Sequence, residues 1–431
     1  SSYDPRIAVH TGPPMINRTE PVREHMIEKK SCEGIGYSVV DLNEAKHVFA
    51  AAVPRRTGSL EEEAGDALQT IEAVMAEQGT RGSIVHQAVF LRNVDQLEDC
   101  RKIINEFYGE QLPATSYIPQ PPCNGRLLAI EAMGVGRAGG GVEIERFGEG
   151  LVVTHHDGIR WVHCANIMPE TAAEGIYDRA IDAFEQMQRR LANRGVSFEQ
   201  IVRTWLYLGD IVGAEGDTQR YKELNRARTD FYRDLRFYRD FTLMSRNGAV
   251  YPASTGIGTE GRNVIMGCIG ISIEKPGVAI LPLENPKQTS AFDYGCEYGI
   301  KSPKFARAMA IAGPGAATIF VSGTASITSS ETQHMGDPRR QTEQTLDNIA
   351  ALIGADNFAE HGMPNLGATL GDLALARVYI KNQQDYAAVQ AVCEQRLGEL
   401  PTIYAIGDVC RPELLVEIEG IAFASAGARV G

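Results

Sequence analysis

Glu417 stands in the run Leu414-Leu415-Val416-Glu417-Ile418-Glu419, where a carboxyl group has apolar neighbours on both sides. Burial penalises the charged form, so a carboxyl in a dry groove has its pKa raised toward neutrality and can donate a proton. Of the two acids on this strand one is expected to face solvent, and Glu419 is assigned that place. Arg411, just before the strand, offers a planar guanidinium suited to a substrate carboxylate; the alternative is a surface ion pair with Glu413 or Asp408. Arg307 lies in the otherwise apolar run Phe305–Ile311, which marks it as paired or ligand-facing. In Ser322-Gly323-Thr324-Ala325-Ser326 the small side chains would let a ligand approach backbone N–H groups able to hold a carboxylate or enolate oxygen. A tight turn is the plainer reading of that stretch, as a small buried hydrophobe is of Cys410.

Other clusters are less specific. His155, His156, Asp157 and His163 fall together, and His155 and His163 could share a strand face, but structural roles are favoured and no metal is expected. Residues 134–139 spell G-x-G-x-x-G, yet the next residues, Gly140-Gly141-Val142-Glu143-Ile144-Glu145, read as linker and strand rather than as the helix a dinucleotide needs. No glycine run is followed by G-K-[ST]. None of the eight cysteines forms a C-x-x-C pair, so they read as buried free thiols.

The elements that would position these residues occur three times in the same order: helix, β-branched strand, second helix, a proline-led turn, and a final apolar strand. The first pass runs over residues 60–78, 84–93, 94–108, Pro113 and 127–133. The second runs over 174–194, 201–210, 218–232, Pro252 and 264–273, and the third over 339–353, 373–382, 384–400, Pro401 and 414–422. A repeat of roughly 130 residues is domain-sized rather than a solenoid unit. In the second pass Ile176, Ala180, Ile181, Phe184, Met187 and Leu191 make the stripe of a helix packed on a sheet, and Gly195 lies just past its end. Two helices on one face of a mixed sheet make a two-layer α/β (α+β) domain, and three such domains could cover each other's bare sheet faces as an intramolecular pseudo-trimer with pockets in the grooves. The expected division is an N-terminal arm at 1–35 and domains at 36–140, 141–283 and 284–431.

A net charge of −13 argues against nonspecific nucleic-acid binding, while leaving room for a local arginine cluster around a small carboxylate metabolite. No run of about 18 apolar residues suggests a membrane span, and a cytoplasmic location is expected, further oligomerisation remaining open.

The unit ending in Leu414–Glu419 resembles the carboxy-terminal signature of the YjgF/RidA superfamily, small trimeric proteins with pockets between subunits. The third pass is more similar to the chorismatase branch, in Glu284-Asn285-Pro286-Lys287-Gln288-Thr289-Ser290-Ala291, Tyr298-Gly299, Ser302-Pro303, Phe305-Ala306-Arg307-Ala308, Phe320–Ile327, His334, Gly336-Asp337, Gln341 and Asp408–Glu417. The resemblance implies a fold of RidA/chorismate-mutase-like domains and an enzyme, hydrolase or lyase, that cleaves the enol ether of chorismate or a related acid. It would release pyruvate with neither metal nor organic cofactor. It also implies Glu417 as general acid, with Arg411, Arg307, Ser322, Gly323, Thr324, Ala325, Cys410 and Tyr298 around the substrate. The superfamily's deaminases place a clamp arginine two residues after the turn proline; here those positions hold Thr115, Ser254 and Ile403, which disfavours imine deamination. Glu131 and Gly267 are taken as the equivalents of Glu417, so at most one groove looks equipped. Asp293 and Ser329-Ser330 depart from the chorismatase pattern, and Asp293 would repel a dicarboxylate if it pointed inward. A noncatalytic metabolite-binding pseudo-trimer is the alternative.

Overall fold

The structure is a computed structural model that describes residues 26–137, 141–243 and 248–426, with side chains at 242 and 243 left aside. The arm before residue 26 and the last two positions of the glycine motif lie outside the described residues.

Three mixed sheets share one strand order. In space the first runs Ile27–Cys32, Ile35–Leu42, Ala45–Ala52, Leu128–Gly136, Ile84–Leu91, Ala114–Ile118. The second runs Glu143–Arg146, Leu151–His156, Ile159–Ile167, Val264–Ile273, Ile201–Gly209, Ala253–Thr259. The third runs Ala279–Leu283, Ala308–Gly313, Ala316–Ala325, Val416–Ser425, Leu373–Ile380, Thr402–Ile406. In each, the last pair is parallel, with a helix crossing between its strands as a parallel connection requires; the third sheet has a seventh strand, Thr242–Leu243, parallel to Ala279–Leu283 at its other edge. Two expected boundaries move. Ile27–Cys32, placed in the arm, pairs with Ile35–Leu42, and Ala279–Leu283, placed in the second unit, pairs with Ala308–Gly313. Gly134 and Gly136 end a strand, so the glycine motif opens no helix there.

The helices start where local chemistry says they should. Leu60–Glu77 has a capping box made by Ser59 and Glu62, and Pro338–Ile353 has Asp337 as N-cap followed by proline. Ile176–Ala192 has no side-chain cap of its own; the Glu215 carboxylate accepts from the Ile176 N–H at 2.9 Å instead. Their buried stripes cover one face of each sheet. The opposite faces meet, so that Phe49, Phe90, Trp161, Trp205, Phe320 and Phe423 from all three sheets belong to one hydrophobic core. All eight cysteines are free; contrary to expectation Cys32 and Cys296 are exposed and Cys410 is half-buried. No helix among the described residues is long and apolar enough to cross a membrane.

Polar hydrogen bonds stitch the sheets edge to face. Tyr117 N–H donates to Asn166 Oδ1 (3.2 Å), Ser254 N–H to Ser322 Oγ (2.9 Å) and Ser38 Oγ to Ala374 O (2.5 Å). At the centre Arg377 meets both oxygens of Glu131 at 2.7 Å, across the junction of third and first sheets.

Candidate active site at the junction of the second and third sheets

The helix Arg220–Tyr232 and the strand Ala253–Thr259 face the strands Ala316–Ala325 and Val416–Ser425, and a cavity of about 430 Å³ lies between them. Tyr221, Asn225 and Ser254 line one wall and Arg307, Gly323, Ala325, Cys410 and Glu417 the other, with Tyr294, Tyr298 and Arg411 on the outer side.

Glu417 is buried on a central strand, opposite Ala325 on one neighbour and Tyr379 on the other. Burial first, then the Glu419 charge, pushes its carboxyl up to about 8; Arg203 and Arg307 pull it back in part, and no hydrogen bond among the described residues contributes. It is therefore a protonated acid at neutral pH, facing the cavity. The bare Cα of Gly323 makes room for it: a Cβ there would overlap Glu417 Oε1.

Glu419 does not face solvent. Residues two apart on a strand share a face, so both acids point away from the covering helices into the shared core, and Glu419 is buried too. It accepts from Arg203 Nη2 and Trp205 Nε1, each at 2.8 Å, and from the Tyr379 hydroxyl. Burial works against its charge, but Arg377 and Arg203, with these hydrogen bonds, hold it below the usual carboxylate range. One strand face thus carries a neutral acid beside a fixed carboxylate.

The register also corrects the expected equivalences. All three central pairs break register at the same place (between Ile84 and His86, Ile201 and Arg203, Leu373 and Leu375). Counting from that break aligns Glu131 and Gly267 with Glu419; the positions matching Glu417 are Ala129 and Ile265. The groove between third and first sheets, about 420 Å³, has Ala129 on its wall where this one has Glu417.

Two cations line the wall with unmet donors. Arg307 Nη2 donates to Thr289 O at 2.8 Å and to the Tyr294 hydroxyl, while its buried Nε has no partner among the described residues. Arg411 Nη1 donates to Ser330 O at 2.8 Å, its guanidinium lies 4.0 Å from the Tyr298 ring centroid, and its buried Nη2 has no partner among the described residues. Arg411 pairs with neither Glu413 nor Asp408: Glu413 accepts from Thr332, and Asp408 is met by Lys381 at 3.2 Å. A buried, unsatisfied guanidinium N–H beside a cavity calls for an acceptor, which a carboxylate supplies. Tyr298 reaches across to Glu331. Burial raises the Cys410 thiol to about 12, so it lines the cavity as a neutral group.

The small-residue stretch divides. Ala325 and Gly323 line the cavity, but Ser322 and Thr324 do not: Ser322 Oγ donates to Ala306 O and Thr324 Oγ1 donates to Ser322 O. The Gly323 N–H is taken by Thr255 Oγ1 at 3.0 Å, so the expected free amide there is engaged. The stretch is a strand irregularity locked across the sheet junction. Asp293 is exposed and off the wall. Sequence reasoning missed Tyr221, Asn225 and the buried Arg228, which stands behind Ser254 and donates to Asn225 Oδ1 at 2.7 Å. The available signal was polar residues at i, i+4 and i+7 on the stripe that also buries Leu224 and Ala227.

Comparison with known proteins adds two family matches. Residues 137–269 match the model described as chorismatase FkbO/Hyg5-like, N-terminal, and residues 304–424 match endoribonuclease L-PSP. A 3-hydroxybenzoate synthase of Streptomyces hygroscopicus is 33% identical over 278 residues, 62% of this chain and 76% of that protein. A chorismatase of Streptomyces rapamycinicus is 35% identical over 231 residues, 52% of this chain and 65% of that protein. Among solved structures a chorismatase superposes with a TM-score of 0.59 at 23% identity, covering 79% of this chain and 93% of its own, which is a likeness of fold.

Proposed function

Because the chain belongs to the chorismatase family, we propose that it cleaves the enol ether of chorismate, or of a closely related carboxylic acid, at the cavity between the second and third sheets. The observation that carries this reading is a carboxyl raised to about 8 on a cavity wall shared with two incompletely bonded arginines. In this reading Glu417 gives its proton to the terminal methylene carbon of the enolpyruvyl group. Water adds to the resulting cationic carbon, the ether C–O bond breaks, and pyruvate leaves with an alcohol as the second product. Arg307 and Arg411 hold the substrate carboxylates, Tyr298 and Tyr294 border the ring, and Cys410 lines it. A positioned general acid contributes roughly 10²–10⁴-fold.

We read the three like sheets, each covered by helices, as one RidA-type domain used three times in an intramolecular pseudo-trimer, in which, among the described residues, this groove keeps the acid while the matching positions hold Ala129 and Ile265. The deciding experiment incubates the full chain with chorismate and tracks pyruvate through lactate dehydrogenase. Pyruvate formation is expected; its absence, with chorismate nevertheless bound, would favour the metabolite-binding alternative.

Gly323→Ala offers a sharper check on geometry. The added methyl displaces the Glu417 carboxyl, so kcat is expected to fall at least about tenfold, well within what a misplaced general acid costs, while the far-ultraviolet circular dichroism stays that of the parent. Arg411→Ala is expected chiefly to raise KM, since truncation removes a carboxylate donor and leaves the proton donor in place.

A further inference from the structure

A second cluster lies where all three sheets converge, around a cavity of about 300 Å³ that shares no lining residue with the groove of Glu417. His47 comes from the first sheet, and His156 and Asp157 from the hairpin of the second. Each can offer one ligand atom, and those three atoms lie within 4.8 Å of one another. Ligand atoms bound at about 2.0–2.2 Å to a common zinc ion stand roughly 3–4 Å apart, so side-chain adjustments of about 1–2 Å at most close the set. Both sequence distance and the change of sheet hid His47 from the sequence reading.

We propose that His47, His156 and Asp157 form a binding site for one divalent transition-metal ion of the zinc type. The groups that would orient such ligands are in place. The backbone N–H of Glu44 donates to Asp157 Oδ1 at 3.1 Å, leaving Oδ2 beside His156 Nδ1 at 3.1 Å, and the Asp157 N–H donates back to Glu44 Oε1 at 2.6 Å. That reciprocal clasp fixes the carboxylate as outer-shell hydrogen bonds do in metal sites. The His156 ring stacks on Trp161 at 5.5 Å, and the His47 ring is roughly parallel to Phe49. His47 Nε2 is buried without a hydrogen-bond partner among the described residues, and an unmet imidazole nitrogen next to a second imidazole and a carboxylate is better explained by an ion than by a lost hydrogen bond. Three protein ligands leave the remaining position to water from the cavity. Lys275 and Glu44 also line that cavity, Glu44 holding the Asp157 N–H. The ion would tie the first sheet to the second.

The test titrates the chelator-treated full chain with Zn²⁺ alone by calorimetry and with Co²⁺ by visible absorption. One equivalent is expected to bind, with ligand-field bands for Co²⁺ and a rise in Tm that tracks the free Zn²⁺ concentration, since only the folded chain holds the ion. His47→Gln and Asp157→Asn should each weaken binding beyond the roughly 10–100-fold that loss of an outer-shell partner costs. The neighbouring cluster of His155 with Glu145 and Glu274 is the competing site, so His155→Gln should leave binding unchanged. Failure of the parent chain to bind Zn²⁺ or Co²⁺ overturns the proposal, and so does binding that survives His47→Gln or is lost in His155→Gln. Because the Co²⁺ spectrum is read on the parent, the result stands even where a variant folds poorly.

Discussion

Glu417→Gln is expected to lose turnover by roughly 10²–10⁴-fold and, at alkaline pH, to be more stable than the parent. The amide keeps the shape of the protonated acid but cannot release a proton. Linkage sets the sign of the stability effect. The folded-state value of about 8 lies above the unfolded value of about 4.3, so folding favours the protonated form. The stability this brings is fully present below the unfolded value and is lost as pH rises through the folded one. The parent's urea midpoint should therefore fall between about pH 5 and 9 relative to the variant's, and the two should converge near the acid end. The same ionisation should set the alkaline limb of the pH–rate profile. Full activity in Glu417→Gln would remove the acid from the reaction. A pH-independent difference in midpoint would mean that the carboxyl is already charged.

Comparison with the neighbouring acid explains why Glu417 is raised while Glu419 is held charged. Both occupy one strand face in surroundings of similar dryness, so burial alone treats them alike. Arg203, Trp205 and Tyr379 give Glu419 three donors, and Arg377 lies 3.9 Å away. Its fixed charge is in turn the second contribution to the rise at Glu417. Two like groups whose environments drive their titrations apart are the usual mark of an assigned acid. Here the division arises because Arg377 and Arg203, with the hydrogen bonds, outweigh burial at Glu419, whereas at Glu417 the pull of Arg203 and Arg307 offsets it only in part.

Much of this was legible in the chain. The stripe from Ile176 to Leu191, the glycine stop after it and the β-branched strand at Val202–Leu208 carry their periodicity in the residues themselves, and the elements form where that periodicity places them. Glu417 and Arg307 stood out because a charged residue in an apolar run is costly unless it has a use. What failed was what depends on facing. Assigning Glu419 to solvent overlooked that the covering sheet buries the whole inner face. The equivalence of Glu131 with Glu417 slipped by one strand period, which only the ladder register corrects. Thr255 taking the Gly323 amide is a contact across 68 residues that no local pattern encodes. Tyr221 and Asn225 were hidden because their polar face looks, in sequence alone, like a solvated one.

The register correction also gives Glu131 a structural task, and Arg377→Met tests it. Arg377 binds Glu131 through Nε and Nη2, each at 2.7 Å, and donates from Nη1 to the Tyr207 hydroxyl at 2.6 Å. Both partners are nearly inaccessible, with side chains 3% and 2% exposed. Removing one member of such a pair strands the other's charge in a dry core, which costs about 3–5 kcal/mol, whereas replacing both with apolar side chains of like volume is often neutral. Arg377→Met should lower stability by about that amount, and Glu131→Met in the same background should restore most of it, giving a large coupling in a double-mutant cycle of urea denaturations. Arg377 also helps hold Glu419 charged, so the doubly apolar variant should refold the junction without restoring that support. Its Glu419 should titrate upward, the repulsion on Glu417 should weaken, and the alkaline limb of the rate profile should move as stability returns. Recovered stability with an unmoved limb would mean that the central arginine serves packing alone.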